Sequence, residues 1–293
     1  MNDTTLAYTV MTDTGADLPW QTVQQQEIQI AHLHYQMEDA AYAYDLGRKT
    51  DLAAFYYAMR NGARVSTIPV LPEGFCTLWE PVLSSGRDIL QLTISRRMSN
   101  TFQAAQAARL TMLAKYPVRR IVVVDTLCCA VAQGMLVYEA SQMCREGKSL
   151  DEVAEWAVQN RQHVNGLLMP AELHWLKEGG MYPGGGLKAL LGRKSLLCVD
   201  AKGDLHPLGQ AKDVEDGLHK LAAAVRKSGY ALNDQVISVT HADDPALAQQ
   251  LCQVLKDEAG CGDILVLPMS PLTGCYAGPG AVGVAFFGSA REG

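Results

Sequence analysis

Long apolar runs are missing from this sequence. No stretch approaches the ~18 consecutive apolar residues that a membrane-spanning helix needs. The opening MNDTTLAYTV has neither a basic n-region nor an apolar h-region, so no secretory leader is expected. Positive charge is not in excess either. The 25 Lys and Arg stand against 31 Asp and Glu, a net charge of −6, and no global field draws the chain to nucleic acid or an anionic membrane. Cysteine is sparse and unpatterned: eight in 293 residues, with no CxxC and no Cys/His spacing of a zinc site. Cys144 and Cys252 fall inside helical patterns, where a small thiol packs as an apolar group. This usage predicts a reduced, cytoplasmic protein without a structural metal.

The familiar catalytic and nucleotide signatures are also absent. A P-loop requires GxxxxGK[ST], and Gly192-Arg193-Lys194-Ser195 lacks the first glycine and displaces the lysine. A dinucleotide fingerprint should follow the first strand, where Asp13-Thr14-Gly15-Ala16-Asp17 stands instead. Gly274-Cys275-Tyr276-Ala277-Gly278 has the outer glycines of a nucleophile elbow but no central serine. His32 and His34 have no identifiable third ligand, so they do not define a metal site. No cofactor is expected.

What is present is an ordinary globular balance, 48% apolar and 19% charged, in a chain long enough for two domains. Short β-prone runs occur at Tyr8–Thr12, Ile28–Tyr35, Ile89–Ile94 and Ile121–Val124. Helical patterns cover about 52–60, 101–116 and 130–146, with Asp51 as a cap and Gly147 as a stop. This alternation predicts an α/β fold, a parallel sheet with helices on both faces. Ser149-Leu150-Asp151-Glu152 has capping-box spacing and starts a helix reaching about His163. Beyond it, strands near 167–169, 196–199, 236–240, 264–267 and 281–287 mix with helices over 213–227 and 245–258. Gly274 to Gly280 reads as a turn. The expected organisation is an N-terminal α/β domain over 1–155 and a C-terminal mixed α/β domain over 156–293.

In a parallel sheet, the loops after the strands converge at one edge, where ligands bind. Two such loops are rich in hydroxyls: Ser66-Thr67, and Ser95-Arg96-Arg97-Met98-Ser99-Asn100-Thr101 before a helix. Hydroxyls and free amides at a helix start suit an anion such as a carboxylate. Capping by Ser99 or Asn100 is the competing role, and one hydroxyl can serve both. Asp13 and Asp125 end strands at the same edge and, with Cys275, form the alternative set for a small-molecule enzyme.

These loops carry a family resemblance. Thr12-Asp13-Thr14-Gly15-Ala16-Asp17-Leu18-Pro19 resembles the TDSTADLP opening of the DegV family. Ser66-Thr67-Ile68-Pro69 stands in the place of TSQP, and Ser95 to Thr101 is similar to SSxLSGT, with Asn100 replacing glycine. Val124-Asp125-Thr126 resembles VDS, Lys177 to Met181 resembles KxGGR, and Gly278 to Gly283 matches GPGAxG. Six motifs in family order span nearly the whole chain.

The resemblance implies a non-catalytic protein that holds a long-chain fatty acid between two domains. The carboxyl end is expected at the hydroxyl loops and the acyl chain in a tunnel of the second domain. It also implies, as a partner, a fatty-acid kinase to which some members present the acid. The expected ligand residues are Thr67, Ser99 and Tyr276, with Ser66, Ser95, Thr101 and Arg97 around them. Two positions depart from the pattern. Met181 stands where KxGGR has arginine, and Tyr276 where many members have the histidine of HTGPG. The lost cation and imidazole count against presentation of an ionised carboxylate to a kinase, and leave open a family member with another ligand.

Overall fold

The computed structural model describes residues 7–181 and 193–292. Its first sheet is built from β1 (Tyr8–Asp13), β2 (Gln29–Ala31), β6 (Asp88–Thr93) and β7 (Ile121–Asp125), all parallel in the order β2-β1-β6-β7. Every residue of β1 is buried, as a parallel strand covered on both faces requires. Alternate side chains serve opposite faces. Met11, Ile89 and Ile121 pack on Phe75, Trp79 and Met112 of α3 (Pro72–Ser84) and α4 (Thr101–Lys115). Val10, Leu90 and Val124 face Leu136, Val137 and Val153 of α5 (Ala130–Arg145) and α6 (Leu150–Asn160). The expected helices on both faces are present.

The single strand expected over 28–35 is two strands. After β2 the chain leaves the parallel sheet at His32-Leu33 and enters a small antiparallel sheet of β3 (His34–Met37), β4 (Ala40–Ala43) and β5 (Val65–Ile68). The break is held by the Leu33 amide, which donates to Thr14 Oγ1 at 2.9 Å. Ser66 and Thr67, expected in a loop, therefore lie on β5, opposite Gln36 and Tyr35. Between them, α2 (Leu52–Arg60) starts at Asp51, whose Oδ1 accepts from the Ala54 amide, as its spacing predicts.

The second sheet orders β8 (Val164–Met169), β9 (Lys194–Val199), β10 (Leu205–Ala211), β11 (Ile237–His241), β12 (Ile264–Pro268) and β13 (Val282–Phe287) as β10-β9-β8-β13-β11-β12. Only β11 and β12 pair in parallel. One face is covered by α8 (Val214–Ser228) and α9 (Pro245–Val254), through Leu221, Val225 and Leu251 against Val239 and Val284. The other face meets α5, where Ala132 and Leu136 share a core with Val164 and Ala285. Helix α5 thus packs between the two sheets. Residue 155, the expected end of the first domain, lies midway along α6, a helix that packs on the first sheet.

Among the described residues there are also three short α-helices, α1 (Trp20–Gln25), α7 (Leu173–Glu178) and α10 (Pro271–Ala277), a 3-10 turn at Thr14–Ala16 and a π-helical turn at Leu255–Ala259. Helix α10 corrects the expected turn over 274–280. Ser270 caps it by accepting from the Thr273 amide, and Pro271 sits at its first position, where proline's missing N–H costs nothing. The turn proper is Gly278–Gly280, both glycines having positive φ. The glycine-rich run Lys177 to Gly186 reads in the sequence as lacking regular structure; Lys177 and Glu178 instead end α7, and its part from 182 onward lies outside the described residues. None of the described helices is long and apolar enough to cross a membrane.

Gly134 lets α5 press against the loop after β1. A Cβ there would stand 2.5 Å from the Ala16 carbonyl oxygen and 3.2 Å from Leu18 Cδ2. Gly134→Ala should therefore lower stability by about 1–3 kcal/mol, although alanine is the better helix former by about 1 kcal/mol. Urea unfolding checks this; an unchanged or raised midpoint contradicts the tight approach.

Candidate functional site

At the C-terminal edge of the parallel sheet, two loops and helix α5 are joined by one carboxylate. Asp13, fully buried at the end of β1, accepts from the Gly15 amide at 3.0 Å, the Ile94 amide at 2.8 Å and Gln133 Nε2 at 3.2 Å. Burial pushes its carboxyl up to about 6 against these hydrogen bonds. Both oxygens are occupied by the scaffold. Asp125, at the end of β7, is engaged in the same way by the amides of Arg96 and Leu127 and by the Arg96 guanidinium. The Cys275 thiol is buried, donates to the Leu272 carbonyl and is raised by desolvation, so it is not a thiolate near neutral pH. None of these three lines the cavity described next.

Between this edge and α10 lies a cavity of about 90 Å³. Its polar lining includes Thr67, Ser99, Thr273 and Tyr276, and its apolar lining Leu168, Leu176 and Leu205, with Met98 and Met181. Thr67 comes from β5 and Tyr276 from α10, and their hydroxyls meet at 2.5 Å. Burial pushes the Tyr276 phenol up to about 12, so it remains neutral. Ser99 precedes α4, and its Oγ accepts from the Thr101 amide at 3.2 Å. It caps the helix while lining the cavity. Asn100 makes no side-chain cap bond.

The other expected ligand residues lie elsewhere. Ser66 is exposed on the outer side of β5, as strand alternation dictates once Thr67 faces inward. Ser95 is buried and donates to the Gly203 carbonyl at 2.8 Å. Thr101 is buried behind Ser99, 2.8 Å from its hydroxyl. Arg97 turns outward, its Nε donating to Asp204 at 2.8 Å. Thr273 and the leucine wall went unread in the sequence. The Ser270-Pro271 helix start was the available signal, since it puts Thr273 and Tyr276 three apart on one helical face.

The residues suspected of other chemistry have structural partners. His32 Nδ1 lies 2.7 Å from the Tyr44 carbonyl. Lys194 Nζ donates to the Ala171 carbonyl and Ser195 is within β9, so these two residues belong to a strand rather than a phosphate loop. Among the described residues, no three His, Cys, Asp or Glu side chains are grouped to hold a metal ion.

A family model described as an uncharacterised protein of the DegV family matches residues 7–289. The chain is 30% identical to a DegV domain-containing protein of Clostridium perfringens over 97% of its own length and 99% of the relative's. Solved structures share the fold. A DegV family protein from Thermus thermophilus, described as fatty-acid binding, has a TM-score of 0.86 at 24% identity, covering 97% of this chain and 100% of that one. The Streptococcus pneumoniae fatty acid kinase B3 protein, loaded with linoleic acid, has a TM-score of 0.83 at 20% identity with the same coverage.

The raised Asp13 carboxyl binds its proton more tightly in the native state than in the unfolded chain. The stability this contributes is complete below about pH 4 and lost as pH rises through about 6. Asp17, raised to about 6, acts in the same direction. Asp13→Asn turns an amide N–H₂ toward existing donors, which should cost about 1–3 kcal/mol for each buried group left unpaired. The gap to wild type should narrow between about pH 4 and pH 7, because only the wild type loses the Asp13 contribution there, while the Asp17 contribution is common to both. A gap that stays constant in urea titrations across this range contradicts the assignment.

Proposed function

The chain belongs to the DegV family, and on that premise we propose that it binds a long-chain fatty acid and carries it without transforming it. The observation that carries the reading is the mixed lining of the cavity: the neutral hydroxyl residues Thr67, Ser99 and Tyr276 together with the apolar Leu168, Leu176 and Leu205. In this reading residues 1–155 supply the head-group loops, and residues 156–293 supply the acyl wall together with Tyr276. A protein that only holds its ligand needs no activated nucleophile. The engaged oxygens of Asp13 and the buried thiol of Cys275 fit that role. The eight cysteines, all free, fit a reducing cytoplasm.

Affinity comes chiefly from the chain, since each buried methylene contributes about 0.8 kcal/mol. The cavity of about 90 Å³ is smaller than a long acyl chain occupies. Such a chain therefore enters by displacing its walls. Met98 and Met181, unbranched and flexible, are the lining side chains that yield most readily.

Organic extracts of the purified protein should contain a long-chain fatty acid by mass spectrometry. Delipidated protein should melt higher when fatty acid is added. Empty extracts together with an unshifted melting temperature sink the reading. Thr67→Ala and Ser99→Ala should each weaken binding by roughly 0.5–3 kcal/mol, the upper part applying if the head group is charged. Unchanged affinity in both variants, with circular dichroism intact, removes these hydroxyls from the site.

Presentation of the acid to a kinase is expected to be poor. An acceptor carboxylate needs a cation to keep it ionised and oriented, and a thioether at 181 and a phenol at 276 supply none. With a fatty-acid kinase from the same source, acyl-phosphate formation should be slow for wild type and faster for the Met181→Arg, Tyr276→His double variant. Efficient turnover by the wild type contradicts this.

A further inference from the structure

The polar lining of the cavity has a definite hydrogen-bond polarity. Thr273 lines it, yet the Thr273 hydroxyl proton is committed to Asp17 Oδ2 at 2.8 Å. Asp17 is buried, with Ser270 and Thr273 as its hydrogen-bonding neighbours. What Thr273 offers the cavity is therefore a lone pair, an acceptor. Three residues on, Tyr276 shares one proton with Thr67, so that pair keeps a second proton to donate. Thr273 and Tyr276 stand three apart on α10, and both line the cavity. A carboxylate is acceptor-only and would meet the Thr273 lone pair unfavourably. A protonated carboxyl matches both sides: its carbonyl accepts from the Thr67–Tyr276 pair and its hydroxyl donates to Thr273.

The surrounding charges act in the same direction. Asp17 stands behind Thr273, and Asp13 holds the Gly15 and Ile94 amides, so anions back the polar lining. Arg96 and Arg97, next to Ser99, are paired with Asp125 and Asp204. Arg60 of α2 pairs with Asp243. His174, Lys177 and Glu178 on α7 and His206 on β10 are exposed, and His34 on β3 is half-buried. Cys129, which lines the cavity, is pushed up to about 12 by burial, and burial also raises Cys275 and Tyr56. No cation lines the cavity among the described residues.

We infer that this site takes its lipid with an uncharged head, a protonated fatty acid or equally a fatty alcohol, and discriminates against the ionised carboxylate. The inference rests on the fatty-acid reading above and specifies the form that is bound.

The test compares a fatty acid, the alcohol of equal chain length and an alkyl sulfonate, all below their aggregation concentrations. A free fatty acid has a carboxyl pKa of about 4–5, like side-chain carboxyls. Between about pH 7 and 9 the acid must then take up a proton to bind, so its Kd should weaken about tenfold per pH unit. Asp13 and Asp17, at about 6, and Tyr276 and Cys129, at about 12, do not titrate through the middle of that range. The alcohol should bind with a flat profile and the sulfonate should not compete. Carboxyl-¹³C fatty acid in the complex should resonate as the protonated acid at about pH 7. Asp17→Asn, whose amide can donate to Thr273 and free that hydroxyl's proton, should flatten the acid's profile; a steep profile in this variant counts against the proposed polarity. An ionised carboxyl resonance with pH-independent affinity, or a sulfonate that binds as well as the acid, overturns the inference and leaves fatty-acid binding standing. Failure of both acid and alcohol to bind overturns both.

Discussion

The site depends on one buried carboxylate. Asp13 ends β1, one of the two inner strands of the parallel sheet, and accepts from the loop after its own strand, from the loop after β6 and from a side chain of α5. A charge out of water is costly unless its hydrogen bonds are all made. Here that cost is offset by donors from three separate segments, so disturbing any one of them leaves the charge exposed to the same penalty. The loops carrying Gly15 and Ser99 are thereby held in one relation to each other. The raised Asp13 carboxyl measures how far burial outruns the hydrogen bonds.

The second constraint is α5. Packed against both sheets through Ala132 and Leu136, it couples the parallel sheet to β8 and β13. Small residues permit this closeness, above all Gly134 beneath the Ala16 carbonyl. The polar lining of the cavity is assembled across the same junction. Thr67 meets Tyr276 across 209 residues of sequence, and Thr273 meets Asp17 across 256. Both are hydrogen bonds between neutral hydroxyls or from a hydroxyl to a buried carboxylate. They give the cavity direction without giving it positive charge.

Much of this was legible in the residues. The buried run Ile121-Val122-Val123-Val124, the cap at Asp51 and the capping box at Ser149 each became the expected element, because each signal is local. Helix α10 was missed because its glycines outweighed the Ser270-Pro271 start, and α3 because Pro72 and Pro81 mask its apolar face. The strand expected over 28–35 divided because its two halves find partners in different sheets, which periodicity within one strand does not report. Of the seven residues expected at the ligand, Thr67, Ser99 and Tyr276 line one cavity, whereas Ser66, Ser95, Thr101 and Arg97 do not.

By itself the sequence determined the strands β1, β6 and β7 and the helices α2, α4, α5 and α6, the loops after β1 and β6 at the sheet's edge, and the family. These follow from periodicity, caps and motif order, all short-range. Only the tertiary structure decided which hydroxyls face the cavity. Ser95 and Ser99 sit in one loop with the same chemistry, yet Ser95 is taken by a carbonyl at Gly203, and Arg97 beside it by Asp204. A buried hydroxyl such as Ser95's goes to a partner that satisfies it, and for both residues the partner lies more than a hundred positions along the chain.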